Sequence, residues 1–284
     1  MPLPHPAPRG AHPWRPGAMG APSLHNVVVR FSFVCRPAEF LDRPNRFVVL
    51  ARLPDGTTIR AHCADPGRLR ELLVPGVRLH VSEAARAGGR TSHDLRFVEH
   101  PENGTLISLD SRLPNALFRE WLDARLLSPF ADWAAYQPEA SPPDVSGPIR
   151  SRMDFALYDE SGRRTWVEVK SATLVVGRTA YFPDAVTERG RRHVLELAHL
   201  AELGDAAAVC FIVQRPDAIC LRPQWDRDPA FAAALCEAER KGVALHAWTV
   251  EVSMEEACLG RQIAVIAAKD APGPVLTEQR APAA

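Results

Sequence analysis

The sequence predicts an α/β (α+β) protein: a small strand-rich barrel of the OB type followed by an α/β domain. Two observations predict it. Residues 27–110 break into short runs of alternating apolar and polar character between turn residues, the pattern of half-buried strands. From residue 113 the period lengthens to that of amphipathic helices, interleaved with strands that include one continuous apolar run suited to a buried sheet.

The elements follow in chain order. Residues 1–25 hold seven prolines and no acidic residue. They lack the apolar core of a secretory signal, so a disordered leader is expected, with Met19 an alternative start. Strands are expected at 27–35, 46–53, 57–63, 77–82, 94–99 and 105–110. Asp55-Gly56 reads as a hairpin turn, while Pro66-Gly67 and Pro75-Gly76 bracket a helical turn at 68–74. About five short strands in roughly 65 residues suit an OB-type barrel. Over 115–127, Leu117, Phe118, Trp121, Leu122 and Leu126 fall at helical spacing. Residues 141–147 form a Pro/Ser loop. The strands 152–158 and 165–172 flank Asp159-Glu160-Ser161-Gly162 and read as a hairpin. An amphipathic helix is expected at 186–203, with Thr187 as its N-cap. Residues 206–213 form the buried central strand, and 217–221 a further strand. The helix at 228–241 has Pro229 at its start and Gly242 past its end. A last strand is expected at 243–252. The periodicity fades after Met254, so 254–284 is expected to be a loose tail.

Composition narrows the function. The chain is 46% hydrophobic and 24% charged, as in ordinary globular proteins. No run of 18 apolar residues occurs, so no membrane partner is expected. Six cysteines without CxxC spacing argue against zinc and for thiols in a reducing compartment, hence a cytoplasmic location. Formal net charge is zero, so no global field draws a polyanion. Residues 30–100 nevertheless carry 12 arginines against 8 acidic residues.

The chemistry concentrates in one hairpin. Asp154 lies on its first strand, and Glu168-Val169-Lys170 on its second. Alternation puts Glu168 and Lys170 on one face. If Asp154 lies opposite on that face, two carboxylates and an ammonium converge. Such hard oxygen donors with open positions suit Mg²⁺, with Mn²⁺ the alternative. A neighbouring lysine orients or deprotonates a water, or steadies developing phosphorane charge. That is the chemistry of a metal-dependent phosphodiesterase; the competing reading is a hairpin with a solvated charged face. Of 34 Lys+Arg only Lys170, Lys241 and Lys269 are lysines, and one of them stands in the triplet, where a compact ammonium differs most from a guanidinium. Arg60, His62 and Arg68 are candidates for the barrel's groove. Arg178, Arg189, Arg191, Arg192 and His193, around the start of the helix at 186–203, are candidates for a phosphate. The alternative there is internal pairing with Asp184 and Glu188. Gln214 and Arg215 end the central strand beside the expected site.

Several stretches together resemble the sugar fermentation stimulation protein A family. Ala61-His62-Cys63-Ala64-Asp65-Pro66-Gly67-Arg68-Leu69 resembles its His-x-Pro-Asn-Thr-Gly-Arg-Met stretch, with Ala64 for Pro and Asp65 for Asn. Residues 110–115 resemble its Asp-Ser-x-Leu-Pro-Asn. Ser151-Arg152-Met153-Asp154-Phe155 and the run from Glu168 to Leu174 match closely. Residues 182–190 and 213–218 are the most distinctive.

The resemblance implies an N-terminal OB-like barrel over 26–112 and a PD-(D/E)XK nuclease-like mixed-sheet domain over 113–253. It also implies DNA binding and a link to sugar regulation. By position, Asp154, Glu168 and Lys170 are the nuclease-like triad, Asp154 and Glu168 its metal ligands, and Glu120 on the first helix the extra carboxylate. The loop Gly88-Gly89-Arg90-Thr91 departs from the family's Arg-Lys-Thr. The expectation is therefore a Mg²⁺-dependent nuclease acting on DNA, with RNA a further candidate. The alternative is a non-catalytic DNA-binding regulator of sugar metabolism, and a sugar-responsive barrel is a third reading. Oligomeric state is left open, a homodimer included.

Overall fold

A computed structural model of the chain describes residues 27–84, 90–143 and 151–273, and the backbone of 12–13. Two short strands, β1 (His12–Pro13) and β2 (Val28–Arg30), come first. The barrel comprises β3 (Arg36–Asn45), β4 (Val48–Arg52), β5 (Thr58–Cys63), β6 (Arg78–Glu83) and β7 (His93–Glu99). A further strand, β8 (Leu106–Ser108), adds to β7. Antiparallel pairs β3–β4, β4–β5, β3–β6 and β6–β7 are closed by a parallel β5–β7 pair, Ala61 opposite His93 and Cys63 opposite Leu95. This is a closed five-stranded barrel of the expected OB type. Its interior follows from alternation: Ile59, Ala61 and Cys63 point inward on β5, while Thr58, Arg60 and His62 face out.

The strand expected at 27–35 is replaced by two others. β2 pairs with a strand of the second domain, and the barrel opens with β3. Pro37 and Pro44 hide β3 in the sequence. Pro44 falls in an irregular stretch between Asp42 and Asn45, where a missing N–H is tolerated.

The second domain adds α1 (Leu113–Asp123), β9 (Trp133–Ala140), β10 (Met153–Asp159), β11 (Arg164–Ala172), β12 (Val175–Val176) and β13 (Thr179–Phe182). It continues with α2 (Glu188–Glu202), β14 (Ala206–Val213), β15 (Cys220–Pro223), α3 (Pro229–Arg240), β16 (Ala244–Val252) and β17 (Glu256–Val265). The strand order is β1-β9-β10-β11-β14-β16-β17-β15-β13-β12, with β2 added on β17. β11, β14 and β16 run parallel at the centre, with antiparallel neighbours on both sides.

The helices cover opposite faces. Leu117, Phe118, Trp121 and Leu122 of α1 pack with Ala208, Cys210 and Ile212 of β14. Val194 and Leu197 of α2 and Phe231 and Leu235 of α3 pack with Val209, Phe211 and Val213. Each fully buried large apolar side chain contributes about 2–3 kcal/mol, and β14, buried on both faces, is the continuous apolar run expected. Both longer helices are capped as their sequence suggests. Thr187 Oγ1 accepts from Gly190 N at 3.0 Å, and Asp228 Oδ1 accepts from Phe231 N at 2.9 Å.

Residues 254–284 are not the uniform loose tail expected. Residues 256–265 are β17, hydrogen-bonded to β16, β15 and β2. Its apolar signal is weak, because only Ala257, Leu259 and Ile263 are buried and Arg261, Gln262 and Ala264 are exposed. The leader expected over 1–25 lies outside the described residues, except for β1, which extends the sheet edge at β9.

Gly260 tests the integration of β17. A Cβ there would lie 2.3 Å from Thr249 Oγ1 and 2.9 Å from the Thr249 carbonyl oxygen. Gly260→Ala should destabilise the whole domain by on the order of 1–3 kcal/mol, read as an earlier urea midpoint. An unchanged midpoint would mean that β17 contributes little.

Candidate functional site

A cleft of about 430 Å³ opens where the barrel meets the sheet. The barrel contributes Arg46 and the loop of Asp65, Pro66 and Gly67. The α/β domain contributes Asn115 of α1, Asp154 of β10, Glu168 and Lys170 of β11, the loop 183–187, and Arg189.

Two carboxylates bind the walls together. Asp184 Oδ2 accepts from Leu69 N of the barrel at 2.7 Å. Asp65 Oδ1 accepts from Gly67 N at 2.7 Å, and Asp65 Oδ2 accepts from Thr173 Oγ1 of the α/β domain at 3.4 Å. Glycine is required at 67, since a Cβ would stand 2.9 Å from Asp65 Oδ1 and 3.1 Å from Asp184 Oδ2. Arg43 holds the loop from the barrel side. Its guanidinium donates to the carbonyls of Arg46, Asp65, Gly67 and Arg68 at 2.7–3.0 Å. Burial pushes the Asp65 and Asp184 carboxyls upward from the ordinary range, and each outweighs its hydrogen bonds.

Asp154, Glu168 and Lys170 converge as the spacing predicts. Asp154 Oδ2 accepts from Val169 N at 2.8 Å, and Oδ1 from Asn115 Nδ2 at 2.8 Å. Burial first, and then the Glu168 charge, push the Asp154 carboxyl up to about 6. Glu168 is only 3% exposed. Its Oε1 accepts from Lys170 Nζ and from His193 Nδ1. Burial opposes its ionisation, but Lys170 and His193 prevail and hold it below the ordinary carboxylate range. Its second oxygen, Oε2, is buried without a partner.

That orphan acceptor is the feature a bound cation fits. Four carboxylates line the cleft (Asp65, Asp154, Asp184 and Glu168) against Arg46, Lys170 and Arg189. Such a site favours a hard cation with oxygen donors over a bare polyanion. Among the described residues no group of three or more His, Cys, Asp or Glu side chains is arranged to hold a metal.

The other expected residues divide. Glu120 does not join the triad: it is half-exposed beside Arg119 at 3.8 Å and does not line the cleft, where Asn115 of the same helix reaches Asp154 instead. Arg189 lines the cleft and touches His193 at 3.4 Å. His193 itself is turned inward to Glu168 rather than toward solvent. Arg192 is exposed and contacts Glu196 and Ser151. Arg60, His62 and Arg68 are exposed on the barrel, and Arg178 lies on the turn between β12 and β13. Gln214 and Arg215 are buried and do not line the cleft. Arg215 is committed to Asp217 at 2.6 and 3.0 Å and to the Val175 carbonyl. Asn115, His193 as the partner of Glu168, Asp65, Asp184 and Arg43 went unassigned in the sequence. Asn115, Asp65 and Asp184 lie in the distinctive stretches, but spacing alone gives them no role.

The fold and cleft define a class: a two-domain protein with an OB barrel docked on a mixed α/β sheet and paired carboxylates at the seam. Residues 41–109 match the family profile described as the SfsA N-terminal OB domain, and 112–256 that of the sugar fermentation stimulation protein RE domain. A sugar fermentation stimulation protein homolog of Moorella thermoacetica is 44% identical over 216 residues, covering 76% of this chain and 89% of that protein. The homolog of Symbiobacterium thermophilum is 41% identical over 243 residues, covering 80% and 93%. The structure of Pyrococcus furiosus SfsA in complex with Ca²⁺ matches with a TM-score of 0.72 at 30% identity, over 84% of this chain and 98% of that one. This chain belongs to the sugar fermentation stimulation protein family. No helix among the described residues is long and apolar enough to cross a membrane.

Asp154 sets a pH dependence of stability. Its folded value of about 6 exceeds the ordinary 3.8, so the fold binds this proton more tightly than the unfolded chain does. Its carboxylate therefore costs stability as pH rises through that window, and the cost is complete above it. Asp154→Asn should stabilise the metal-free protein near pH 8 by roughly 2 kcal/mol, with the gain vanishing near pH 4. Denaturant unfolding in EDTA at the two pH values checks this; equal gains at both would refute it.

Proposed function

We propose that the protein binds nucleic acid, DNA foremost, across the cleft and hydrolyses a phosphodiester with Mg²⁺. The observation that carries this reading is the buried, unpartnered Glu168 Oε2 in one cleft with Asp154 and Lys170. Asp154 and Glu168 would hold the cation, which supplies Lewis-acid activation at a phosphoryl oxygen. The Ca²⁺ complex of the Pyrococcus furiosus relative supports a divalent-cation site in this fold.

The chain's own groups have separate tasks. His193 donates to Glu168 Oε1 and sets the carboxylate's orientation, leaving Oε2 free. Asn115 and the Val169 amide orient Asp154 by donating to one oxygen each. Lys170 carries a compact positive charge beside both carboxylates, suited to steady developing negative charge on a phosphoryl oxygen. Arg46 and Arg189 at the cleft walls supply charge for flanking phosphates.

One observation favours a second reading, a regulator that grips DNA without cutting. Lys170 and His193 already neutralise Glu168 in the protein alone, so the cleft does not require a cation to keep that charge buried. A role in sugar regulation belongs with this reading.

Incubation of labelled single- and double-stranded DNA and RNA with Mg²⁺, Mn²⁺ or EDTA decides between them. Metal-dependent cleavage is expected, and Glu168→Gln and Lys170→Met should each lower its rate by about 10²–10³. DNA affinity in EDTA should persist in both variants and fall with salt by about 0.7–0.9 log units per phosphate contact. Binding without cleavage by the wild-type protein, unchanged in both variants, would establish the regulator instead.

A further inference from the structure

One aromatic side chain, next in the chain to the cleft residue Arg46, is unexplained by packing. Phe47, in the turn between β3 and β4, keeps 46% of its surface exposed. A lone exposed apolar residue needs no explanation, but this one is held in place and surrounded by polar groups. The His62 ring stands beside it, nearly parallel, at 6.4 Å and 22°. The Arg46 guanidinium carbon lies 5.3 Å from its ring centre. His62 and Arg60 alternate outward along β5, so the surface leading to the ring is basic.

The backbone beneath the ring is fixed. Phe47 N donates to Asn45 Oδ1 at 3.0 Å, and Phe47 O accepts from Cys63 N at 2.9 Å and pairs with His62 Nδ1 at 3.2 Å. Arg43 grips the Arg46 carbonyl at 2.7 Å with the same guanidinium that holds the cleft loop. The ring is thus tied to the cleft wall, and Arg46 belongs both to its surroundings and to the cleft that contains Asp154 and Lys170.

We propose that Phe47, with His62 beside it and Arg46 leading into the cleft, is a stacking platform for an unpaired nucleobase, so that the preferred ligand is nucleic acid with a single-stranded segment next to the phosphate in the cleft. The inference rests on the nucleic-acid reading above and specifies its substrate class. The faces of bases inside a duplex are already covered by their neighbours, whereas an unpaired base offers a free face to an aromatic ring. A protein partner would call for apolar surroundings; this ring has a guanidinium and an imidazole. Cations beside an aromatic ring suit a base whose own phosphate is near.

The test is equilibrium binding in EDTA, where no cleavage intervenes. The probes are a fluorescent oligothymidine, the same length of abasic strand, and a blunt duplex. Phe47→Ala should weaken oligothymidine binding roughly 5- to 150-fold, the range for loss of one stacked base. Its effect on the abasic strand and the duplex should be less than about twofold, since phosphate contacts are unaltered. Phe47→Leu keeps the apolar volume without the ring and should behave like Phe47→Ala, while Phe47→Trp should restore binding. Equal losses on all three probes, or full binding by Phe47→Leu, would overturn the platform and leave the nucleic-acid reading standing. Failure of the wild-type protein to bind any of the probes would overturn both. Selective binding without cleavage under Mg²⁺ would uphold the platform and remove only the nuclease.

Discussion

The cleft depends on the loop of Asp65 to Leu69 being gripped from both sides. On the barrel side the Arg43 guanidinium satisfies three carbonyls, of Asp65, Gly67 and Arg68, that a tight, irregular loop cannot pair within itself. On the α/β side Asp184 takes the amide of Leu69, a fully buried residue held at a φ of 51°. A leucine tolerates that left-handed conformation only where its surroundings over-determine it. Here the hydrogen bond from the Leu69 amide to Asp184 and the barrel core enclosing the side chain supply the constraint. Two of the distinctive sequence stretches, one from each domain, thus meet in a single seam.

The seam also sets the electrostatics. Loop and sheet together bury Asp65 and Glu168 and half-bury Asp154 and Asp184, and the two central carboxylates, Asp154 and Glu168, respond in opposite directions. Glu168, although more deeply buried, stays ionised because an ammonium and an imidazole share one of its oxygens. Burial first, and then the negative Glu168 beside it, raise Asp154, whose hydrogen-bond donors are only amides. Placed one on each strand of a hairpin, the pair differ through their partners rather than through position. A cation would relieve both conditions at once: it adds positive charge beside Asp154 and a ligand for the idle Glu168 oxygen.

The two domains are also interwoven. β2 precedes the barrel in sequence but completes the other domain's sheet beside β17. From there Phe31 and Phe33 stack at 5.0 Å and pack on Phe97 of the barrel, and Arg96 lies 4.3 Å from the Phe33 ring centre. The chain thus joins the two units at a second place besides the loop seam.

Patterns of period two and 3.6 determined most of the elements. The hairpin of β10 and β11, the buried β14, the capped α2 and α3 and the closed barrel were all legible, as was the triad, because alternation along β11 dictates that Glu168 and Lys170 share a face. Elements whose signal is diluted were not: β3 carries two prolines, β17 buries only three of its ten residues, and β12 and β13 are too short for any period. The partners were not legible either. Nothing local in the sequence joins His193 to Glu168 or Asp184 to Leu69, since these contacts join residues 25 and 115 positions apart. Sequence periodicity reports which face a residue occupies on its own element. Which buried charge acquires a counter-charge, and which arginine is spent on a neighbour as Arg215 is on Asp217, follows only from how the elements pack, because desolvation and pairing act through space and not along the chain.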